Sequence, residues 1–171
     1  IGAATAKLLA DEGAHVVCLD RPADAQLCSQ VAHGIGGSTL LVDVSTPEAP
    51  REIAEALAER HGGVDIVVHN AGITRDKTLA RMSEDKWDLT IDINLSAIVR
   101  ITEALLGGHL RDGGRVVLLS SVAGIAGNMG QTNYAASKSG VIGYMRQLSK
   151  IAASRGITVN ADPRNEVMTE R

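Results

Sequence analysis

Phenylalanine is absent from this chain and aromatic residues make up only 2% of it, so a core must be filled by Ala, Val, Leu and Ile. The single tryptophan, Trp87, is expected to anchor packing. A large excess of charge of one sign is also lacking. A net charge of −3 and a pI near 5.9 supply no broad basic surface, which argues against a nucleic-acid partner and against attraction to anionic membranes. No apolar stretch approaches the roughly 18 residues that span a bilayer, and the first residues lack the layout of a signal peptide. A cytoplasmic location is expected. The two cysteines, Cys18 and Cys28, have no close Cys/His spacing of a zinc site and read as buried or half-buried thiols. His15, His33, His61, His69 and His109 are scattered, with no i,i+4 pair, so no metal is expected.

What is present is ordinary for a globular fold. The 171 residues are 44% hydrophobic, enough for one substantial core, and residues 1–171 read as one domain. Apolar periodicity switches repeatedly between the strand and helix templates. Helical spacing runs over Ala3 to Glu12, Asp24 to His33, Pro47 to Arg60 (with Ser45 or Thr46 as cap), Ser83 to Leu106 and Ala135 to Ala153. Strand character falls on His15 to Asp20, Thr39 to Val44, Val64 to His69, Arg115 to Ser120 and Ile157 to Asn160, the third and fourth reading as buried. Such alternation predicts an α/β fold: a Rossmann-like doubly wound parallel sheet that binds its ligand beyond the carboxyl ends of its strands.

The residues at those ends are polar. Asp20 follows Gly2 by about the interval between a phosphate-binding turn and the acidic residue that accepts ribose hydroxyls. Its charge would oppose a 2′-phosphate, which points to NAD(H) rather than NADP(H), although the adjacent Arg21 could turn toward such a phosphate. Asn70-Ala71-Gly72 places two small residues after a strand, where backbone approaches a flat ligand or simply turns.

Tyr134-Ala135-Ala136-Ser137-Lys138 is sharper. An i,i+4 spacing puts phenol and ammonium on one helical face, and the positive charge favours the phenolate. Such a pair is common in helices. Its setting is not, because Ser121 ends a buried strand thirteen positions earlier and opens a loop with Gly124, Gly127 and Gly130 that can return the chain to Tyr134. The Ser121 hydroxyl can donate to a carbonyl oxygen.

At these residues the chain resembles the short-chain dehydrogenase/reductase family, and within it the 3-oxoacyl-carrier-protein and acetoacetyl-coenzyme A reductases. The likeness is carried by residues 70–76 (NAGITRD), 121–124 (SVAG) and 130–138 (GQTNYAASK). It implies an oxidoreductase with Tyr134 as general acid, Lys138 binding the nicotinamide ribose, Ser121 orienting the carbonyl, and Asn94, whose helix distortion holds a water, completing a proton relay. It further implies that Asp43 and Val44 contact the adenine, that Asn70, Ala71 and Gly72 flank its ribose, and that no metal takes part. The partners implied are an acyl thioester, possibly on acyl carrier protein, and further copies of the chain in a homodimer or homotetramer built on the helices around Ser83 to Leu106 and Ala135 to Ala153. Another alcohol or hydroxysteroid dehydrogenase, and a non-catalytic cofactor-binding subunit, are the alternatives.

Against the family pattern the first strand and most of its Gly-rich turn have no counterpart before Ile1-Gly2, and the lid and last strand have none after Asn160-Ala161. Asp162 to Thr169 stands instead, with Met168-Thr169 matching the end of the family's lid loop at a shortened spacing. We expect these residues to belong to a longer polypeptide rather than to a truncated gene product, which would leave two apolar strand edges unpaired.

Overall fold

The computed structural model describes residues 1–163; Met168 and Thr169 lie outside the described residues. The elements run α1 (Gly2–Asp11), β1 (Val17–Asp20), α2 (Ala25–Gly34), β2 (Ser38–Leu41), α3 (Ala49–His61), β3 (Val64–His69), α4 (Glu84–Ile91), α5 (Ala97–Leu106), β4 (Leu110–Leu119), α6 (Ala123–Ala126), α7 (Thr132–Ala152) and β5 (Thr158–Asp162). Each helix and strand read from periodicity is there, with ends displaced by a few residues. Glycine ends two of the helical runs for a conformational reason. Gly62 (φ 66°) after α3 and Gly156 (φ 65°) after the short 3₁₀ turn that follows α7 take the left-handed conformation that closes a helix cheaply only without a Cβ.

Two local expectations change. Ser45 and Thr46 do not cap α3, which starts after Glu48. They wrap instead around Asp43: the Ser45 amide and hydroxyl donate to its Oδ1 at 3.0 and 2.7 Å, and the Thr46 hydroxyl to its carbonyl at 3.0 Å. The helix expected over Ser83 to Leu106 is continuous only in outline, because a π turn, Asp92–Ser96, separates α4 from α5.

All strand pairs are parallel, as the alternation predicts, but they form two sheets, β1-β2 and β3-β4-β5, rather than one. Among the described residues no strand pairs with the second edge of β1 or of β3. β3 is consequently not the buried strand expected: Asp65 and Ile66 are exposed, and only His69 is buried. One core nevertheless spans both sheets. Leu40 and Val42 beside β1-β2 join Ile53 and Leu57 of α3, Ile98, Ile101 and Leu105 of α5, Val116 and Leu118 of β4, and Val141 and Leu148 of α7. Trp87 is half-buried and stands outside that cluster.

Candidate active site

Parallel registers bring the strand ends level. Asp20 lies opposite Leu41, His69 opposite Leu118, and Leu119 opposite Asp162, so the residues just beyond them emerge at the carboxyl ends of their sheets. Asp20 and Arg21 are exposed there, and Asp43 and Val44 half-buried. Asp20 Oδ1 accepts the Arg21 amide at 2.8 Å, while the Arg21 guanidinium is turned onto Asp24, with Nε 2.7 Å from Oδ2. The Asp24 hydrogen bond and charge raise the Arg21 pKa, with smaller contributions from Asp20 and Asp43, which places all four groups in one neighbourhood. Hydrogen bonds from Ser45 hold the Asp43 carboxyl below the usual carboxylate range.

Gly2, at the start of α1, meets the end of β3. A Cβ there would stand 2.7 Å from Nδ2 of the exposed Asn70 side chain, which would have to turn aside. Among the described residues no side-chain cap bond is made to α1, and the first-turn amides of a helix suit an anion. Asn70, Ala71 and Gly72 are exposed. A Cβ on Gly72 would lie 3.2 Å from Asn94 Oδ1 and 3.5 Å from Lys138 Nζ. Glycine therefore keeps an open floor between the groove and two buried polar groups.

On α7, Tyr134 is half-buried and Lys138 is buried, with Nζ 5.7 Å from the centre of the phenol ring. Lys138 Nζ donates to the carbonyl of Leu119 at 2.7 Å, which ties the helix to the end of β4. Burial lowers the ammonium pKa to about 8. Ser121, buried, accepts the Ala123 amide on Oγ at 3.2 Å, which leaves its hydroxyl hydrogen to donate. Gly124 allows α6 to rest on α7: a Cβ there would be 2.8 Å from the Lys138 carbonyl carbon.

Asn94 sits in the π turn with its side chain fully enclosed. Its Oδ1 accepts the Ile73 amide at 2.8 Å, and its Nδ2 donates to the Ile73 carbonyl at 2.9 Å and to Ser137 Oγ at 3.2 Å. The side chain thus fastens the segment after β3 to α7. Two serines to which the sequence assigned no role complete the joint. Ser137 Oγ donates to the Tyr134 carbonyl at 2.7 Å, and Ser120 Oγ to the Lys138 carbonyl at 2.9 Å, both wholly buried. Their signal was position: Ser120 directly precedes Ser121 and Ser137 directly precedes Lys138. The structure thus draws Gly72, Asn94, Tyr134 and Lys138 into one group beside Ser121, whereas Asp20, Arg21 and Asp43 form a second group on the other sheet.

A family model described as enoyl-(acyl carrier protein) reductase matches residues 1–162. The chain is 43% identical to the 3-oxoacyl-(acyl-carrier-protein) reductase of Vibrio cholerae over 161 residues, covering 94% of this chain and 66% of the relative. It is 39% identical to the Escherichia coli protein of the same name over 161 residues, with the same coverage of both. A Thermotoga maritima relative, also of that name, is 42% identical over 166 residues, covering 94% of this chain and 67% of the relative. The chain thus spans about two thirds of the length of these curated relatives.

Proposed function

Since the chain belongs to the short-chain dehydrogenase/reductase family, we propose that it carries the cofactor groove and proton-handling site of a reductase acting on the 3-oxo group of an acyl thioester. The observation that carries this reading is the buried Lys138 ammonium, 5.7 Å from the Tyr134 ring and next to the open floor at Gly72. Burying an ammonium costs stability, and a buried group perturbed in this way beside a groove is a candidate for chemistry. The names of the relatives supply the substrate class, an acyl-carrier-protein thioester.

The residues present fit a nicotinamide dinucleotide. The uncapped amides of α1 beside Gly2 suit its pyrophosphate, Asp20 the adenosine ribose, Asp43 and Val44 the adenine, Asn70 to Gly72 the space alongside, and Lys138 the nicotinamide ribose. When bound, that group supplies the hydride that reaches the ketone carbon. The chain handles the oxygen. Ser121 donates a hydrogen bond to it, and Tyr134 gives it a proton as it becomes an alkoxide, so that the C=O bond becomes CH–OH. Lys138 stabilises the resulting phenolate, and Asn94 holds the backbone through which the proton is replaced.

Cofactor choice follows from Arg21. Its guanidinium is paired with Asp24, and Asp20 and Asp43 add two negative charges near it that would oppose a 2′-phosphate. NAD(H) is therefore favoured over NADP(H). Further copies of the chain are expected to pack on α5 and α7, giving a homodimer or homotetramer.

The test is a panel on the full-length protein: acetoacetyl-coenzyme A, crotonyl-coenzyme A and a ketosteroid, each with NADH and NADPH. Acetoacetyl-coenzyme A should be reduced, and faster with NADH. No turnover of that thioester would overturn the substrate reading, and turnover with NADPH alone the cofactor reading.

A further inference from the structure

Asn133 has no role in the chemistry proposed for this fold, yet it is the most heavily bonded side chain next to the site. It is fully buried. Its Oδ1 accepts the backbone amide of Tyr134 at 2.8 Å. Its Nδ2 lies 3.3 Å from the Arg75 carbonyl, 3.2 Å from the Lys86 carbonyl and 3.0 Å from Thr90 Oγ1. The orientation of the amide is fixed by these partners: the oxygen faces a donor and the nitrogen faces acceptors. Thr90 Oγ1, itself buried, donates to the Lys86 carbonyl at 2.7 Å and so has only lone pairs to offer Asn133.

We infer that Asn133 is a positioning residue for Tyr134, joining the segment after β3, helix α4 and the first turn of α7 so that the phenol is held at a fixed place relative to Lys138 and Ser121. The inference rests on Tyr134 being the proton donor. Three facts support it. The partners come from three separate stretches of chain: Arg75, then Lys86 and Thr90, then Tyr134. The bond to Tyr134 acts on the backbone of the reacting residue itself. And among the described residues no side-chain cap bond is made at the start of α7, where Gln131 binds Asp76 (2.9 Å) and Asn128 (2.9 Å), so that Asn133 is the side chain there that reaches α4 as well as the segment after β3. A buried amide with all its groups paired is rigid, and removing it takes a partner from the Tyr134 amide and the Arg75 carbonyl, while the Lys86 carbonyl and the Thr90 hydroxyl keep only their bond to each other from this group.

The probe that isolates the donor role is Asn133→Asp, equal in size but presenting oxygen to three acceptors. Thr90→Val removes one acceptor and leaves the rest, and serves where the aspartate variant does not fold. Both are compared with Tyr134→Phe in the full-length protein by steady-state kinetics, thermal unfolding and NADH binding by fluorescence. The expected result for folded Asn133→Asp is a loss of about a hundredfold in kcat, with NADH affinity unchanged and the kcat–pH profile displaced. Thr90→Val should move kcat and the profile in the same direction by less. If either folded variant keeps the wild-type kcat and pH profile and loses only melting temperature, Asn133 is structural and the inference is overturned. If Tyr134→Phe retains full turnover, the proton-donor reading itself is wrong, a result distinct from the first.

Discussion

His69 is buried at the end of β3, and burial lowers its pKa to about 4. The Thr102 hydroxyl gives its hydrogen to the Ile98 carbonyl at 2.7 Å, so the 2.8 Å contact with His69 is a bond donated by Nε2. The folded pKa lies below the ordinary value of 6.5, so between these two pH values the unfolded chain binds a proton that the fold refuses. Stability contributed by neutral His69 is present above pH 6.5 and is lost as pH falls toward about 4. Over that window the loss is about 3 kcal/mol. His69→Gln should flatten this acid limb in denaturant titrations run at several pH values; an unchanged limb would assign it elsewhere. Lys138 has the same kind of signature at the other end of the scale. Its pKa is lowered from 10.5 to about 8, so the cost of burying its charge is present below pH 8 and fades as pH rises. Relative to Lys138→Met, the cofactor-free protein should gain stability from about pH 8 to pH 10.5. These residues were legible to different degrees. Tyr134 and Lys138 declare themselves by spacing, and Asp20 by its distance from Gly2, but neither the bond of His69 to Thr102 nor the bonds of Asn133 to Arg75, Lys86 and Thr90 leave any trace in the order of the letters, because those partners are remote in sequence.

At the scale of elements, the π turn Asp92–Ser96 and the contact of α6 with α7 set the site. Periodicity reads Ser83 to Leu106 as one helix because the apolar residues on both sides of the turn keep helical spacing; one extra residue in a turn changes register without changing composition. The structure shows why an asparagine suits that point. Its amide satisfies both backbone groups of Ile73, so Asn94→Ala leaves a donor and an acceptor buried and unpaired, at about 1–3 kcal/mol for each. Asn94→Ala is expected to melt earlier and to lose turnover, with the loss of turnover also present well below the melting transition. Gly124→Val tests the second contact. Its Cβ would fall 2.8 Å from the backbone of Lys138, so α6 must lift from α7, carrying Ser121 with it. Turnover should fall by more than NADH affinity, because of the groups proposed to hold the cofactor only Lys138 lies at this contact. Retained turnover would show that α6 can move without disturbing Ser121.

For the whole molecule, the order of elements and the parallel pairing follow from the alternation of periods, and the level strand ends follow from the pairing. The division into two sheets does not, since which strand neighbours which is a matter of long-range pairing rather than local pattern. Its consequence is physical: β1 and β3 each have an edge without a strand partner among the described residues, and Ile66 on β3 is 41% exposed. Free parallel edges with apolar side chains recruit other chains. Residues 1–171 should therefore associate beyond a homotetramer in light scattering; a species no larger than a tetramer would contradict this. The central claim, that Tyr134 donates the proton at a site held by Lys138 and Ser121, is tested most directly by one substitution in the full-length protein. Tyr134→Phe should lower the rate of acetoacetyl-coenzyme A reduction by about 10²–10⁴-fold, the contribution of a positioned acid, while NADH still binds. A variant that reduces the thioester at the wild-type rate would contradict the account.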